Sequence, residues 1–279
     1  MEAADKLPTE SGGVVLLIDR RELLARARER HLPLLMVEKD YVLGWVLFGL
    51  SRVPGLVFKG GTALAKIYFP ETWRLSEDLD FVTAQGNWEE VAESISAGLQ
   101  ETARQSKIGL IVKSRHSNPG YLQLKVQYSG PLGRNWLKID VTDEPPAAGV
   151  LARPLSRSYS DYPDFTVRVE SLEEIFAQKL RALLERKKVR DFYDVWRMGE
   201  LRVDRNMVAQ LFAGKLRVKG IEWQGLGDMF PGDLESVLAG YWEKELGRLV
   251  WPVPDMGLVL RQLKATLRWL EGHDWQGRA

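Results

Sequence analysis

The chain has 279 residues, of which 45% are hydrophobic and 28% charged, and its 39 Lys and Arg against 38 Asp and Glu leave a formal net charge of +1. This is room for one large domain or two modest ones, with no global field to drive the protein onto nucleic acid, so any such binding must use a local patch. The complete absence of cysteine excludes disulfides, thiolate zinc sites and a cysteine nucleophile, leaving oxygen and histidine chemistry.

The opening Met1-Glu2-Ala3-Ala4-Asp5-Lys6 lacks the basic-then-apolar layout of a signal peptide. No apolar run reaches the ~18 residues of a membrane span, so a cytoplasmic protein with no membrane partner is expected. The first dozen residues, ending in Ser11-Gly12-Gly13, read as a loose terminus. Helical apolar spacing then covers 18–30 and 38–50, parted at Pro33. A short apolar strand over 56–59 ends at Gly60-Gly61, a helix over 62–69 is closed by Pro70, and a strand follows over 76–83.

Residues 88–104 carry helical periodicity, and strand-like runs follow at 108–114, 121–128 and 136–142. Asn118-Pro119-Gly120 and the segment from Ser129 to Gly133 supply their turns. The Pro-, Ser- and Arg-rich stretch 145–164 reads as a long crossing loop and marks the boundary between 1–165 and 166–279. Beyond a strand at 165–170, Ser171 with Glu174 forms a capping box. Helices are expected at 172–186, 190–199, 204–213, 232–245 and 255–271, with 214–231 ambiguous. The fold class is therefore α/β (α+β), an α/β half followed by a helical half.

Three constellations could carry chemistry. The first is the glycine turn Gly60-Gly61-Thr62 with Asp78 and Asp80. Glycines let backbone N–H groups approach phosphate oxygens, and two aspartates two apart on a strand project toward one divalent cation. A bare Asp-x-Asp is usually a solvated strand end; strand, glycine turn, helix and Asp-x-Asp strand in that order favour a metal-triphosphate site. The second is Asp140, in a strand beside Trp136, Leu137 and Val141. There a carboxylate costs desolvation unless it meets a cation or donors, and a third metal carboxylate would satisfy it; a strand-end Asp facing water is the other reading.

The third is the charged block Lys179, Arg181, Arg186, Lys187, Lys188, Arg190, Asp191 and Asp194. In one continuous helix Lys179, Arg186, Arg190 and Asp194 would share a polar face. Equally, 185–189 could be a kink or turn, with Asp191 capping a second helix. Taken alone, the block reads as a solvated face. His31, His116 and His273 have no partners at metal or triad spacing, and the tryptophans, Trp45 and Trp196 among them, read as packing.

Together these motifs, over roughly residues 30–200, resemble the AbiEii/AbiGii toxin family of nucleotidyltransferases, a branch of the polymerase-β-like superfamily that also includes the MenT toxins. The family's Lys-Gly-Gly-Thr-Ala-Leu turn matches 59–64, its Arg-x-Ser-Glu-Asp-x-Asp-Phe motif matches 74–81, its Lys-x-Asp matches Lys138 and Asp140, and its helical Lys, Arg and Arg-Asp-x-x-Asp match Lys179, Arg186, Arg190, Asp191 and Asp194. The resemblance implies a mixed sheet flanked by helices, followed by a C-terminal helical bundle. It also implies transfer of a nucleoside monophosphate from an NTP, often onto RNA such as a tRNA end, and a cognate antitoxin as partner.

On this reading Asp78, Asp80 and Asp140 hold Mg2+ or Mn2+. Lys179 neutralises triphosphate charge, with Asp194 holding it or touching the nucleotide. Arg186, Arg190 and Asp191 contact nucleotide or phosphate, and Lys66 and Arg74 are second-tier phosphate candidates. Relatives in the wider superfamily often carry serine after the first glycine. This chain has Gly61 and Thr62, so the grip falls to backbone amides or the threonine hydroxyl. The rival functions are nucleotidylation of a small molecule or protein, and a nucleotide-binding module without transfer.

Overall fold

A computed structural model describes residues 18–272; the expected loose N-terminus and His273 lie outside the described residues. Helix α1 (Arg20–Arg30) starts where the Asp19 side chain accepts from the Arg21 N–H and ends at a left-handed His31. Helix α2 (Leu34–Leu50) is buried on nearly every side, as a helix without a polar face must be. Pro33 does part the two helices, and because it occupies the N-cap position of α2 the helix begins four residues earlier than its periodicity suggests.

The centre is a seven-stranded mixed sheet in the order β3-β4-β5-β2-β1-β7-β6. Its strands are β1 (Val57–Lys59), β2 (Leu79–Val82), β3 (Gly109–Asn118), β4 (Tyr121–Gly130), β5 (Gly133–Thr142), β6 (Val150–Pro154) and β7 (Thr166–Glu170). β2 runs parallel to β5 and β1 to β7, while every other pair is antiparallel. Between β1 and β2 lies helix α3 (Gly60–Ala63), which widens into a π turn over Leu64–Tyr68, where the Phe69 N–H reaches the Leu64 carbonyl.

Strand alternation sorts the sheet's two faces. Leu122, Leu124, Val126 and Tyr128 of β4, with Leu137, Ile139 and Val141 of β5, are sealed from solvent beneath α2 and α4 (Trp88–Ser106). Burial of each such side chain contributes about 1.5–3 kcal/mol. Those two helices approach closely at Gly49, where a Cβ would stand 2.1 Å from the Gly98 carbonyl oxygen. On the opposite face, Tyr121, Gln123, Lys125 and Gln127 alternate outward, as do Trp136, Lys138 and Asp140.

Several expected bounds shift for physical reasons. β2 starts at Leu79, not residue 76, because Ser76 and the Asp78 carbonyl bond to Thr62 instead of a neighbouring strand. β3 runs on to Asn118 through a bulge between Val112 and Ser114, drawn out by its hairpin with β4. The segment 145–164 is not all loop: β6 pairs with β7 inside it. All five β6 residues are exposed and the last is proline, the profile of an edge strand with no alternation to read.

The helical half comprises α5 (Leu172–Glu185), α6 (Val189–Gly199), α7 (Arg205–Lys219), α8 (Leu234–Ala239), α9 (Trp242–Leu246) and α10 (Met256–Thr266). Ser171 caps α5 by accepting from the Glu174 N–H. α5 and α6 are separate helices, broken at residues 186–188. α7 continues through Gly214 to a left-handed Gly220, the expected helix 232–245 is split at Gly240-Tyr241, and α10 tightens into a 3-10 turn over Leu267–Leu270. Among the described residues no helix is long and apolar enough to cross a membrane.

Candidate active site

The sheet register places one row of polar side chains across four strands. Lys59 of β1 pairs with Asp80 of β2, Asp80 with Asp140 of β5, and Asp140 with Gln123 of β4. Gly60 makes the row possible. Its φ of +76° is costly for any residue with a side chain, and a Cβ there would stand 2.7 Å from Asp80 Oδ2. At Gly61 a Cβ would stand 2.7 Å from Arg74 Nη2.

Thr62 is fully buried, and its hydroxyl donates to the Asp78 carbonyl while accepting from Ser76 Oγ at 2.7 Å. It therefore fixes the backbone at Asp78 and is not available to grip a phosphate. Asp78 Oδ1 accepts the Lys138 N–H at 3.2 Å. Asp140 Oδ1 accepts from Tyr121 Oη at 2.5 Å and Gln123 Nε2 at 2.8 Å, which leaves Oδ2 clear of both donors.

Burial pushes the Asp80 carboxyl above the usual range, and Asp140 beside it adds to the push against Lys59 and Lys179. Burial likewise raises Asp78, opposed by Lys39 and Lys138. Crowded, desolvated carboxylates of this kind call for a compensating cation.

Positive charge arrives from the helical half. The break between α5 and α6 brings Arg186 and Asp191 back toward Lys179, so a turn assembles them rather than a single helix face. Lys179 Nζ lies 2.9 Å from Asp191 Oδ1 and 2.9 Å from Asp194 Oδ2. Arg186 Nε donates to Asp191 Oδ2 at 2.8 Å. Burial opposes the charge on Lys179, but Asp191 and Asp194 outweigh it and hold the ammonium above its ordinary range. Burial equally opposes ionisation of Asp191 and Asp194, but Lys179 with Arg186 hold Asp191 well below its ordinary range, and Arg74 with Lys179 hold Asp194 below its own. Asp191 is thus an ion-pair partner in the first turn of α6, not its cap.

Two adjoining cavities, of about 300 Å3 and about 220 Å3, share Gly61, Asp80, Asp140, Lys179 and Arg186 in their walls. The larger adds Lys59, Gly60, Tyr121, Thr142 and Gln178. The smaller adds Asp78, Lys138, Lys188, Arg190 and Asp191, and the edge of Arg74.

Two expected phosphate contacts are committed elsewhere. Lys66 lies in a buried ion pair with Asp40 at 2.9 Å and lines neither cavity. Arg74 is buried and forked onto Asp194. Arg190 reaches the smaller cavity while lying 3.4 Å from Glu77, which Arg248 also approaches.

Sequence reasoning missed Lys59, Tyr121, Gln123, Thr142 and Gln178 as wall or support residues, while Lys188 of the charged block does reach the wall of the smaller cavity. For Tyr121 and Gln123 a signal existed. A β4–β5 hairpin with two-residue alternation puts them on the face of Asp140 and Thr142. Among the described residues no group of three or more His, Asp or Glu side chains closes around a common metal position. The oxygen donors nevertheless suit a hard cation. Mg2+ takes one or two carboxylates together with substrate phosphates and water rather than an all-protein cage, and no described residue donates a hydrogen bond to the Asp80 carboxylate.

Residues 45–271 match the family model described as nucleotidyl transferase AbiEii toxin, type IV toxin–antitoxin system. Among solved structures, MenT4, a nucleotidyltransferase toxin of Mycobacterium tuberculosis H37Rv, superposes with a TM-score of 0.69 at 22% identity, over 92% of this chain and 91% of that one. JHP933 from Helicobacter pylori superposes with a TM-score of 0.58 at 17% identity, over 86% of this chain and 94% of that one. No curated protein sequence matches the chain.

Proposed function

The chain belongs to the AbiEii family of type IV toxin–antitoxin nucleotidyltransferases, and from that premise we propose that it moves a nucleoside monophosphate from an NTP onto the 3′ end of an RNA such as a tRNA. The observation that carries the reading is the opposition across one cleft of Asp80 and Asp140, on the sheet, and Asp78, just before β2, to Lys179 and Arg186, from the helical half. We read residues 1–165 and 166–279 as two halves of that single site. A cognate antitoxin as partner and a cytoplasmic location belong to the same proposal.

Asp80 and Asp140, with Asp78, would hold Mg2+ or Mn2+, and the bound ion supplies charge neutralisation at the triphosphate and at the entering oxygen. The chain's own residues do the rest. Gly60 and Gly61 keep side chains away, so phosphate oxygens can come up to the backbone. Lys179 and Arg186 face the triphosphate as cations that Asp191 and Asp194 hold in place. Asp140, fixed at Oδ1 by Tyr121 and Gln123, presents Oδ2 to the acceptor hydroxyl as hydrogen-bond acceptor. As that hydroxyl oxygen bonds to the α-phosphorus its proton leaves to Asp140 Oδ2, the bond from the α-phosphorus to the bridging oxygen breaks, and pyrophosphate departs.

The test supplies each α-labelled NTP with Mg2+ or Mn2+ and, separately, total RNA, a metabolite pool or a protein extract. Label in RNA is the expected result. Label in the metabolite or protein fraction alone would replace the acceptor, and binding without transfer in any arm would leave a nucleotide-binding module.

A further inference from the structure

The open face of β3–β4–β5 does not end at the cleft. Three cross-strand rows continue outward from it on the same side of the sheet. His116, Gln123 and Asp140 form the first row; Ser114, Lys125 and Lys138 the second; Ile111, Gln127 and Trp136 the third. Along β5 this reads Asp140, Lys138, Trp136, Arg134, one outward residue every second position, with Trp136 about 13 Å from Asp140 at ~3.3 Å per residue.

Both ends of the third row are exposed and apolar, Ile111 53% and Trp136 38% accessible, with the half-buried Gln127 between them. Lys125 Nζ lies 4.6 Å from the Trp136 ring centroid, pairing a cation with the aromatic face. From Asp140 to the far ends of the three strands, this face carries Lys125, Lys138 and Arg134 and no second carboxylate. Packing explains none of it, because α2 and α4 cover the opposite face.

An exposed aromatic flanked by lysines on an open sheet is the arrangement that stacks unpaired bases and tracks a backbone. A duplex offers phosphates but no free base faces, so it would leave Trp136 and Ile111 unused.

Building on the RNA-acceptor reading above, we propose that this face is the track for the single-stranded 3′ segment of the acceptor. Trp136 stacks a base about two nucleotides from the terminus, Lys125 and Lys138 meet phosphates, and the terminal hydroxyl arrives at Asp140. The track gives the near-neutral chain its local patch for nucleic acid.

The test uses a 5′-fluorescent, single-stranded oligoribonucleotide of ~8 nucleotides, within the span that such surfaces engage. Anisotropy gives its Kd and the salt dependence, and labelled NTP gives transfer onto it. Trp136→Ala should weaken binding about 10-fold, Trp136→Phe should retain most of it, and Lys125→Ala should reduce the salt slope by about one. Triphosphate affinity serves as the control.

If wild type labels RNA but Trp136→Ala binds and uses the oligonucleotide as well as wild type does, the track is wrong while the acceptor stands. Equal Trp136 dependence with a blunt duplex would also overturn it, as would loss of protein-partner binding with RNA binding intact. If wild type neither binds nor labels any RNA, the acceptor reading falls and the track with it.

Discussion

The guanidinium of Arg74 meets the carboxylate of Asp194 side on, with Nε 2.8 Å from Oδ1 and Nη2 2.8 Å from Oδ2. Both side chains are buried, and Trp73 Nε1 adds a donor to Oδ1 at 3.2 Å. This fork ties the loop before the Asp-x-Asp strand to helix α6, so the two sides of the cleft share one bonded strut. Lys179 rests on the same carboxylate.

Removing one partner should therefore unfold before it merely slows. Asp194→Ala leaves a buried guanidinium unpaired and is expected to cost about 3–5 kcal/mol in urea unfolding. Arg74→Met with Asp194→Leu should recover much of that loss, because neither charge is then stranded. A wild-type midpoint for Asp194→Ala, combined with lost transfer, would instead assign Asp194 to the substrate.

Asp80 should behave in the opposite way. Its carboxyl is pushed up by burial and by Asp140, so Asp80→Asn removes a like charge and should leave thermal stability unchanged or slightly higher. Transfer should fall by more than about 100-fold, the upper end of what losing a mere supporting residue of a metal site costs. Wild-type turnover by the purified variant would remove Asp80 from the reaction.

These two residues also show what the sequence could disclose. The glycine turn and Asp-x-Asp are neighbours in the chain, so their order and spacing pointed to the candidate site, whereas the alternation in β4 and β5 held the sheet's two faces without being used to place Tyr121 and Gln123. Arg74 and Asp194 stand 120 positions apart, and no local pattern announces that one will spend its charge on the other. The same blindness put Lys66 among the phosphate contacts, because Asp40, its partner, lies on another helix. It left Thr62 as a phosphate candidate, because its hydroxyl's use depends on how the Asp78 backbone returns. The exposed strand β6 escaped for a different reason, since an edge with no buried side has no period to detect.

Gly60 offers a test of how tightly the backbone controls the cleft. At φ +76°, with a phantom Cβ 2.7 Å from Asp80 Oδ2, Gly60→Ala carries both left-handed strain and a contact that must displace the carboxylate. The strain alone is about 1–2 kcal/mol. The variant should lose stability by at least that much in urea unfolding and lose transfer with it. Gly86, where an added Cβ meets nothing within 4 Å, supplies the control: Gly86→Ala should do neither. Full transfer by Gly60→Ala would mean that Asp80 need not hold its observed place.

Glu170, fully buried at the end of β7, sets a pH dependence of known sign. Its Oε1 accepts from Gln178 Nε2 at 2.9 Å, Oε2 has no partner among the described residues, and burial lifts its pKa to about 7 despite the pull of Lys59. Between the ordinary value near 4.5 and about 7, the folded chain therefore holds a proton that the unfolded chain has released. The stability this group adds is complete below the unfolded pKa and disappears as pH rises through the folded one. Glu170→Gln keeps an acceptor for Gln178 and abolishes the titration. Unfolding free energy, as wild type minus variant, should fall by on the order of 2–3 kcal/mol from pH 5 to pH 8. Parallel profiles for the two proteins would show that Glu170 is already ionised in the fold, with Lys59 outweighing its burial.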